Sequence, residues 1–115
     1  MPSPPLAPDD GPIDLDHLAR MTLGDAALER EVLAMFLTQS ARLMGALAAL
    51  PAEAPALAHT LKGSARAIGA SRVADCASAL EFALSEAEDP QPSLRELREA
   101  VTEACTAIEA MLQQS

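Results

Sequence analysis

Tryptophan and tyrosine are absent from this chain of 115 residues, and phenylalanine occurs only twice. Segments rich in β-branched or aromatic residues are few, which argues against strands. Alanine and leucine dominate instead, and both favour helix. Basic residues are also scarce: 8 Lys and Arg stand against 17 Asp and Glu, for a net charge of −9. That balance excludes general binding to nucleic acid or to anionic membranes, which needs basic surface. No apolar run is long enough to span a bilayer. The first residues lack Lys and Arg and are rich in proline and aspartate, so they are no signal peptide. A cytoplasmic location is expected. The two cysteines, Cys76 and Cys105, have no metal-type spacing and fall on apolar helix stripes. They read as small buried side chains in a reducing compartment. A Gly-rich phosphate-binding loop is missing, and no nucleotide-binding region fits in the chain.

What is present is one domain's worth of amphipathic helix. Residues 1–12 form a proline-rich lead, expected to be flexible, and residues 13–115 the folded unit. Asp14 is a candidate N-cap for a short first helix carrying Leu15, Leu18 and Thr22 inward. Gly24 ends it and Asp25 caps the second helix, about residues 26–50. Leu28, Val32, Met35, Phe36, Leu43, Leu47 and Leu50 form its main stripe, with Leu33, Leu37 and Met44 beside it. Pro51 stops that helix, and Pro55 suits the first turn of the third. The third ends at Gly69, and Ser71 caps a fourth over residues 72–88, on which Phe82 points away from the inward stripe. After the Asp89-Pro90-Gln91-Pro92 breaker, Ser93 and Glu96 read as a capping box for the last helix. The expectation is an all-α antiparallel four-helix bundle with an additional short N-terminal helix.

The stretch Ala58-His59-Thr60-Leu61-Lys62-Gly63-Ser64-Ala65-Arg66 stands apart. At roughly 100° per residue, Leu57, Leu61, Ser64, Ala65 and Ile68 face the core. His59, Lys62, Gly63 and Arg66 face water. A glycine inside a helix costs roughly 1 kcal/mol relative to alanine, and Gly63 clears space one turn from the imidazole. No Asp or Glu occurs from Ala54 through Ala74, while Lys62, Arg66 and Arg72 do. A basic island on an acidic protein suits an acidic pocket or a phosphoryl group. A nucleophilic imidazole must be neutral and accessible, and adjacent cations oppose its protonation.

The run His59-Thr60-Leu61-Lys62-Gly63-Ser64-Ala65, followed by Ile68-Gly69-Ala70, resembles the motif of histidine-containing phosphotransfer domains. Ile13-Asp14, Gly24-Asp25, Phe36-Leu37 and Leu80-Glu81 extend the likeness over nearly the whole chain. The resemblance implies that His59 is phosphorylated on a ring nitrogen and exchanges the group with receiver-domain aspartates. It implies that Lys62 helps neutralise the phosphoryl group, that Gly63 lets the receiver approach, and that Gly69 permits a tight turn. The partners implied are response-regulator receivers and a histidine kinase, hybrid in type, of a bacterial phosphorelay. A divalent metal is expected on the receiver and no cofactor or metal on this chain, which would act as a phosphocarrier without ATP-dependent kinase activity. Thr60 stands where sensor kinases have an acidic residue after the phosphorylated histidine, which disfavours a kinase dimerisation segment. The docking surface is expected to cover His59, Thr60, Lys62, Gly63 and Arg66, extended by Leu37 and Met44 of the second helix. A monomer is expected.

Two other readings stand beside this one. A chemically silent helical adaptor would leave His59 an ordinary surface residue. A phosphorylated module of a chemotaxis-type histidine kinase would keep the chemistry in a larger chain. The Met1 start and the finish soon after the last helix favour a free-standing protein. A metal or hydrolase site is disfavoured, because His17 and His59 lack ligand spacing and His17 reads as a solvated surface residue.

Overall fold

The computed structural model describes residues 11–114, so the proline-rich lead lies outside them up to residue 10. Five helices follow in order: α1 (Leu15–Met21), α2 (Ala26–Leu47), α3 (Ala54–Ile68), α4 (Ser71–Ser85) and α5 (Gln91–Gln113). Helices α2 to α5 form an antiparallel four-helix bundle. Packing runs α2 on α3, α3 on α4, α4 on α5 and α5 back on α2, which closes the ring. Helices α3 and α4 bury the small side chains Ala54, Ala58, Ala65, Ala74 and Ala77. Small side chains there let the two backbones approach closely. Leu43, Leu47, Leu61, Leu80, Leu97 and Ile108 fill the centre.

Local sequence accounts for several helix boundaries. Asp14 accepts the His17 N–H and Asp25 the Leu28 N–H, each at 3.1 Å. Pro55 lies in the first turn of α3. Gly69 closes α3 with φ 81, a left-handed conformation that L side chains rarely adopt. It also admits α1: a Cβ at Gly69 would lie 2.8 Å from the Asp14 carbonyl oxygen. The Asp14 N–H donates to the Gly69 carbonyl at 2.8 Å, so the short first helix is clamped onto the α3–α4 turn. At the far end, the Arg30 guanidinium donates to the carbonyls of Leu112 (2.6 Å) and Gln114 (3.2 Å). Those groups at the end of α5 lack helical partners.

Other boundaries and faces differ from expectation. Helix α2 ends at Leu47, and Leu50 takes φ 47 before Pro51, which has no N–H to continue a helix. Its buried line is Leu33, Phe36, Ser40, Leu43 and Leu47. Met35 and Leu28 are exposed instead. The buried line takes Phe36, Leu43 and Leu47 from the main stripe and Leu33 from the second, because packing between α3 and α5 buries whatever points between them. The polar Ser40 on that line is accommodated because its hydroxyl meets the Leu37 carbonyl (3.3 Å) and the Cys105 sulfur (3.4 Å). On α1, Leu15 is exposed and Leu18 buried, and the flanking Ile13 and Thr22 are buried too.

Helix α4 has Ala70 as its N-cap and no side-chain cap, so Ser71 is its first residue rather than its cap. It ends at Ser85, where the chain turns through Ala87 at φ 57. Helix α5 starts at Gln91, and the Ser93 capping box does not form. Asp89 accepts the Gln91 N–H at 3.0 Å, and Pro92 is tolerated in the first turn, so the start moves upstream. His17 is half-buried rather than solvated, and its Nε2 is buried without a partner.

Candidate functional site

Helix α3 presents His59 with its side chain 70% exposed. The ring is nevertheless held. Its Nδ1 lies 3.1 Å from Oε2 of Glu81, which comes from α4. The other carboxylate oxygen, Oε1, lies 2.5 Å from the Lys62 ammonium. That approach counts as an ion pair, not as a well-directed hydrogen bond, since Oε1 has no partner by hydrogen-bond geometry. Lys62 and Glu81 are mostly buried, at 15% and 24% side-chain exposure. Burial pushes the Glu81 carboxyl up, but the adjoining Lys62 ammonium and the hydrogen bond and charge of His59 outweigh it and hold it below its ordinary 4.5.

This arrangement decides the tautomer. An ionised carboxylate only accepts hydrogen bonds, so Nδ1 must carry the ring proton. In the neutral ring the lone pair then sits on Nε2. Glu81 was not among the residues singled out for the site from sequence; it appeared only as part of the Leu80-Glu81 pattern. The signal that could have found it is the antiparallel return of α4 across a two-residue turn, which brings a carboxylate beside His59.

The basic island is correspondingly reduced. Lys62 gives its charge to Glu81, and Arg72 pairs with Glu103 of α5 at 3.2 Å. Arg66 is exposed and makes no ion pair among the described residues. Thr60 is exposed, but its hydroxyl donates to the Ala56 carbonyl one turn back, at 3.0 Å. Gly63 is exposed, and a Cβ added there would meet nothing within 4 Å. No neighbour inside the bundle requires a glycine at this position.

Leu37 and Met44, expected to extend the partner surface, are half-buried and packed against the core. Met44 lines a groove toward α5, among Ser40, Val101 and Cys105. Seven residues separate the two, so Leu37 shares that side of α2. The side of α2 turned toward α3 carries Val32, Met35 and Gln39 instead, opposite Ser64 and Ala67. The apolar pattern shows which residues share a line, not which neighbouring helix that line meets.

Cys76 and Cys105 are free and half-buried. Burial raises the Cys76 thiol above its ordinary value, with Arg72 pulling the other way and Glu96, Asp75 and Glu99 adding to the rise. A raised thiol is a poor nucleophile at neutral pH. Among the described residues no group of three or more His, Cys, Asp or Glu side chains could hold a metal ion. No helix among them is long and apolar enough to cross a membrane.

A protein-family model described as Hpt domain matches residues 31–115. The match covers most of α2 and all of α3, α4 and α5, hence every residue placed around the imidazole. No curated protein matches the chain.

Proposed function

The chain belongs to the Hpt domain family, and on that footing we propose that His59 is the residue that carries the phosphoryl group. Domains of this family are histidine phosphotransfer modules of phosphorelay signalling, phosphocarriers that meet receiver domains and histidine kinases. The observation that supports His59 is its exposed ring, held through Nδ1 by Glu81, next to open space at Gly63. His17, the other histidine, has its Nε2 buried.

In the proposed reaction, Nε2 of His59 attacks the phosphorus of a receiver's aspartyl phosphate. The new P–N bond forms as the P–O bond to the aspartate breaks, and the aspartate leaves as carboxylate. The Nδ1 proton stays in its hydrogen bond to Glu81, so the ring becomes a phospho-imidazolium facing a carboxylate. Return of the group to a second receiver runs the same steps backwards. A divalent cation on the receiver would neutralise charge on the phosphoryl oxygens. Arg66 adds positive charge from this chain. Lys62 does so to the extent that it turns from Glu81 to the phosphoryl group. A side chain fixed on a helix inside a bundle presents its nucleophile with less wandering than one on a loop.

The finer reading is a monomeric carrier in the cytoplasm of a bacterium, passing the group between a hybrid kinase and a response regulator. Its working unit is residues 13–115. The unit includes α1, since Ile13 is buried and Asp14 bonds to Gly69. The test is a phosphotransfer profile against the receivers and hybrid kinases of the source organism. At least one phosphorylated receiver should label the chain, and His59→Gln should abolish labelling. Labelling that survives in His59→Gln would remove the assignment. Label from ATP on the chain alone would show that it is a kinase and not a carrier.

A further inference from the structure

Helix α4 turns a phenylalanine to solvent. Phe82 is 59% exposed, while Phe36, the only other aromatic residue of the chain, is buried. Asp75, Ala79, Phe82 and Glu86 follow at helical intervals of four, three and four, so they share one outer line. All four are exposed. At about 1.5 Å per residue, one acidic residue stands roughly 10 Å before Phe82 and another roughly 6 Å after it. Neither Asp75 nor Glu86 makes an ion pair among the described residues. The single cation of α4, Arg72, is committed to Glu103 of α5. The last turn of α4 has no basic residue, and Glu86, Glu88 and Asp89 follow it. Anions at a helix C-terminus oppose the macrodipole, so a cation supplied from outside would relieve them.

We propose that this outer line of α4 is a docking site for a basic amphipathic helix of a partner protein, which lays an apolar side chain on Phe82 and sets Lys or Arg against Asp75 and Glu86. Charge complementarity selects this occupant. A cation beside the exposed ring also gains attraction from its π face. Residues 70–115 carry 3 Lys and Arg against 9 Asp and Glu, whereas residues 26–69 carry 4 against 3. The field of the molecule therefore steers a basic partner to the α4 and α5 half. The same carboxylates repel nucleic acid and anionic lipid. A second copy of this chain carries −9 itself and is repelled as a whole. Phe82 is turned by roughly 100° from Glu81, which holds the imidazole. A partner seated on this line thus leaves His59 open, and the site does not depend on the function proposed for that residue.

The probe is a fluorescein-labelled synthetic helix of about 15 residues, long enough to hold its fold on binding. It carries leucine and alanine on one face between flanking lysines. A counterpart has every lysine replaced by glutamate. Fluorescence anisotropy gives Kd for the full chain, and amide chemical shifts map the site. Phe82→Ala removes the ring and Glu86→Lys reverses a charge beside it. Glu109→Lys, at an exposed position on α5, makes the same charge change elsewhere and is the control. Circular dichroism checks that each variant remains helical. The basic peptide should bind one to one and shift amides along Asp75 to Glu86. Phe82→Ala and Glu86→Lys should each raise Kd about tenfold, and Glu109→Lys less than about threefold. Wild-type affinity in either α4 variant would overturn the site. So would failure of the basic peptide to bind, or equal binding of its glutamate counterpart. A wild-type dimer that Phe82→Ala splits would place a second copy there and overturn it too. The assay involves no phosphotransfer, so its failure leaves His59 as carrier, and failure of that role leaves the docking site standing.

Discussion

The two sides of α3 are built on opposite plans. Toward α4 the surface is ionic and closed: Glu81 holds His59 and Lys62 at once, and both members of the Lys62–Glu81 pair are mostly buried. Toward α2 it is apolar and open, with Met35 exposed beside an unfilled groove. Gly63 lies between the two. The contrast teaches that holding a nucleophile and recognising a partner need different physics. Orientation of the ring gains from a partly desolvated, charge-assisted hydrogen bond. Docking gains from apolar surface that is not yet buried. One helix can serve both because its flanks meet different neighbours.

The sharpest way to break this division is at its boundary. Gly63→Gln should lower transfer by a hundredfold or more in single-turnover assays, because the side chain would stand where the receiver must come. Gly63→Ala, by contrast, should raise the unfolding free energy by up to about 1 kcal/mol in urea titrations, since only helix propensity is at stake. Normal transfer by Gly63→Gln would mean that the partner approaches elsewhere.

Next in size is the ionic flank. Glu81→Ala should slow transfer about tenfold, the loss expected for roughly 1.4 kcal/mol of transition-state interaction, while KM stays near wild type. Glu81→Gln keeps an acceptor for Nδ1 and should recover part of that loss; a rise in KM instead would merge the two flanks. The same carboxyl sets an acid limb. Because its folded value is depressed below 4.5, its stabilising contribution is complete above that pH and is lost as pH falls through the depressed value. Acid titration of Glu81→Gln should show a shallower loss of stability there.

Lys62→Ala should have the smallest effect, slowing transfer severalfold or shortening the lifetime of the phosphohistidine. Its charge already serves Glu81, so an effect as large as that of Glu81→Ala would show that it turns fully to the phosphoryl group.

Much of this was legible along the chain. Asp14 and Asp25 cap where a short acceptor precedes a periodic run, and Gly69 takes the left-handed turn. His59, Lys62 and Gly63 share a face by helical periodicity. Of what was missed, one case is a competing local helix start and the others involve a second helix. Ser93 has the residues of a cap, yet Asp89 and Pro92 move the start of α5 upstream. Leu37 and Met44 looked like partner surface and are packed against the core. The acid-free run from Ala54 to Ala74 looked basic until α4 laid Glu81 across it.

By itself, then, the sequence determined the helices, most of their ends, and the line of α3 on which the imidazole stands. These follow from propensity, capping and a period that act within a few residues. Only the tertiary structure decided which residues of α2's two stripes are buried, which ring nitrogen keeps its proton, how little free charge surrounds His59, and which flank stays open. Those depend on what lies across a seam between helices, and at that range side-chain contact rather than sequence spacing sets the energy.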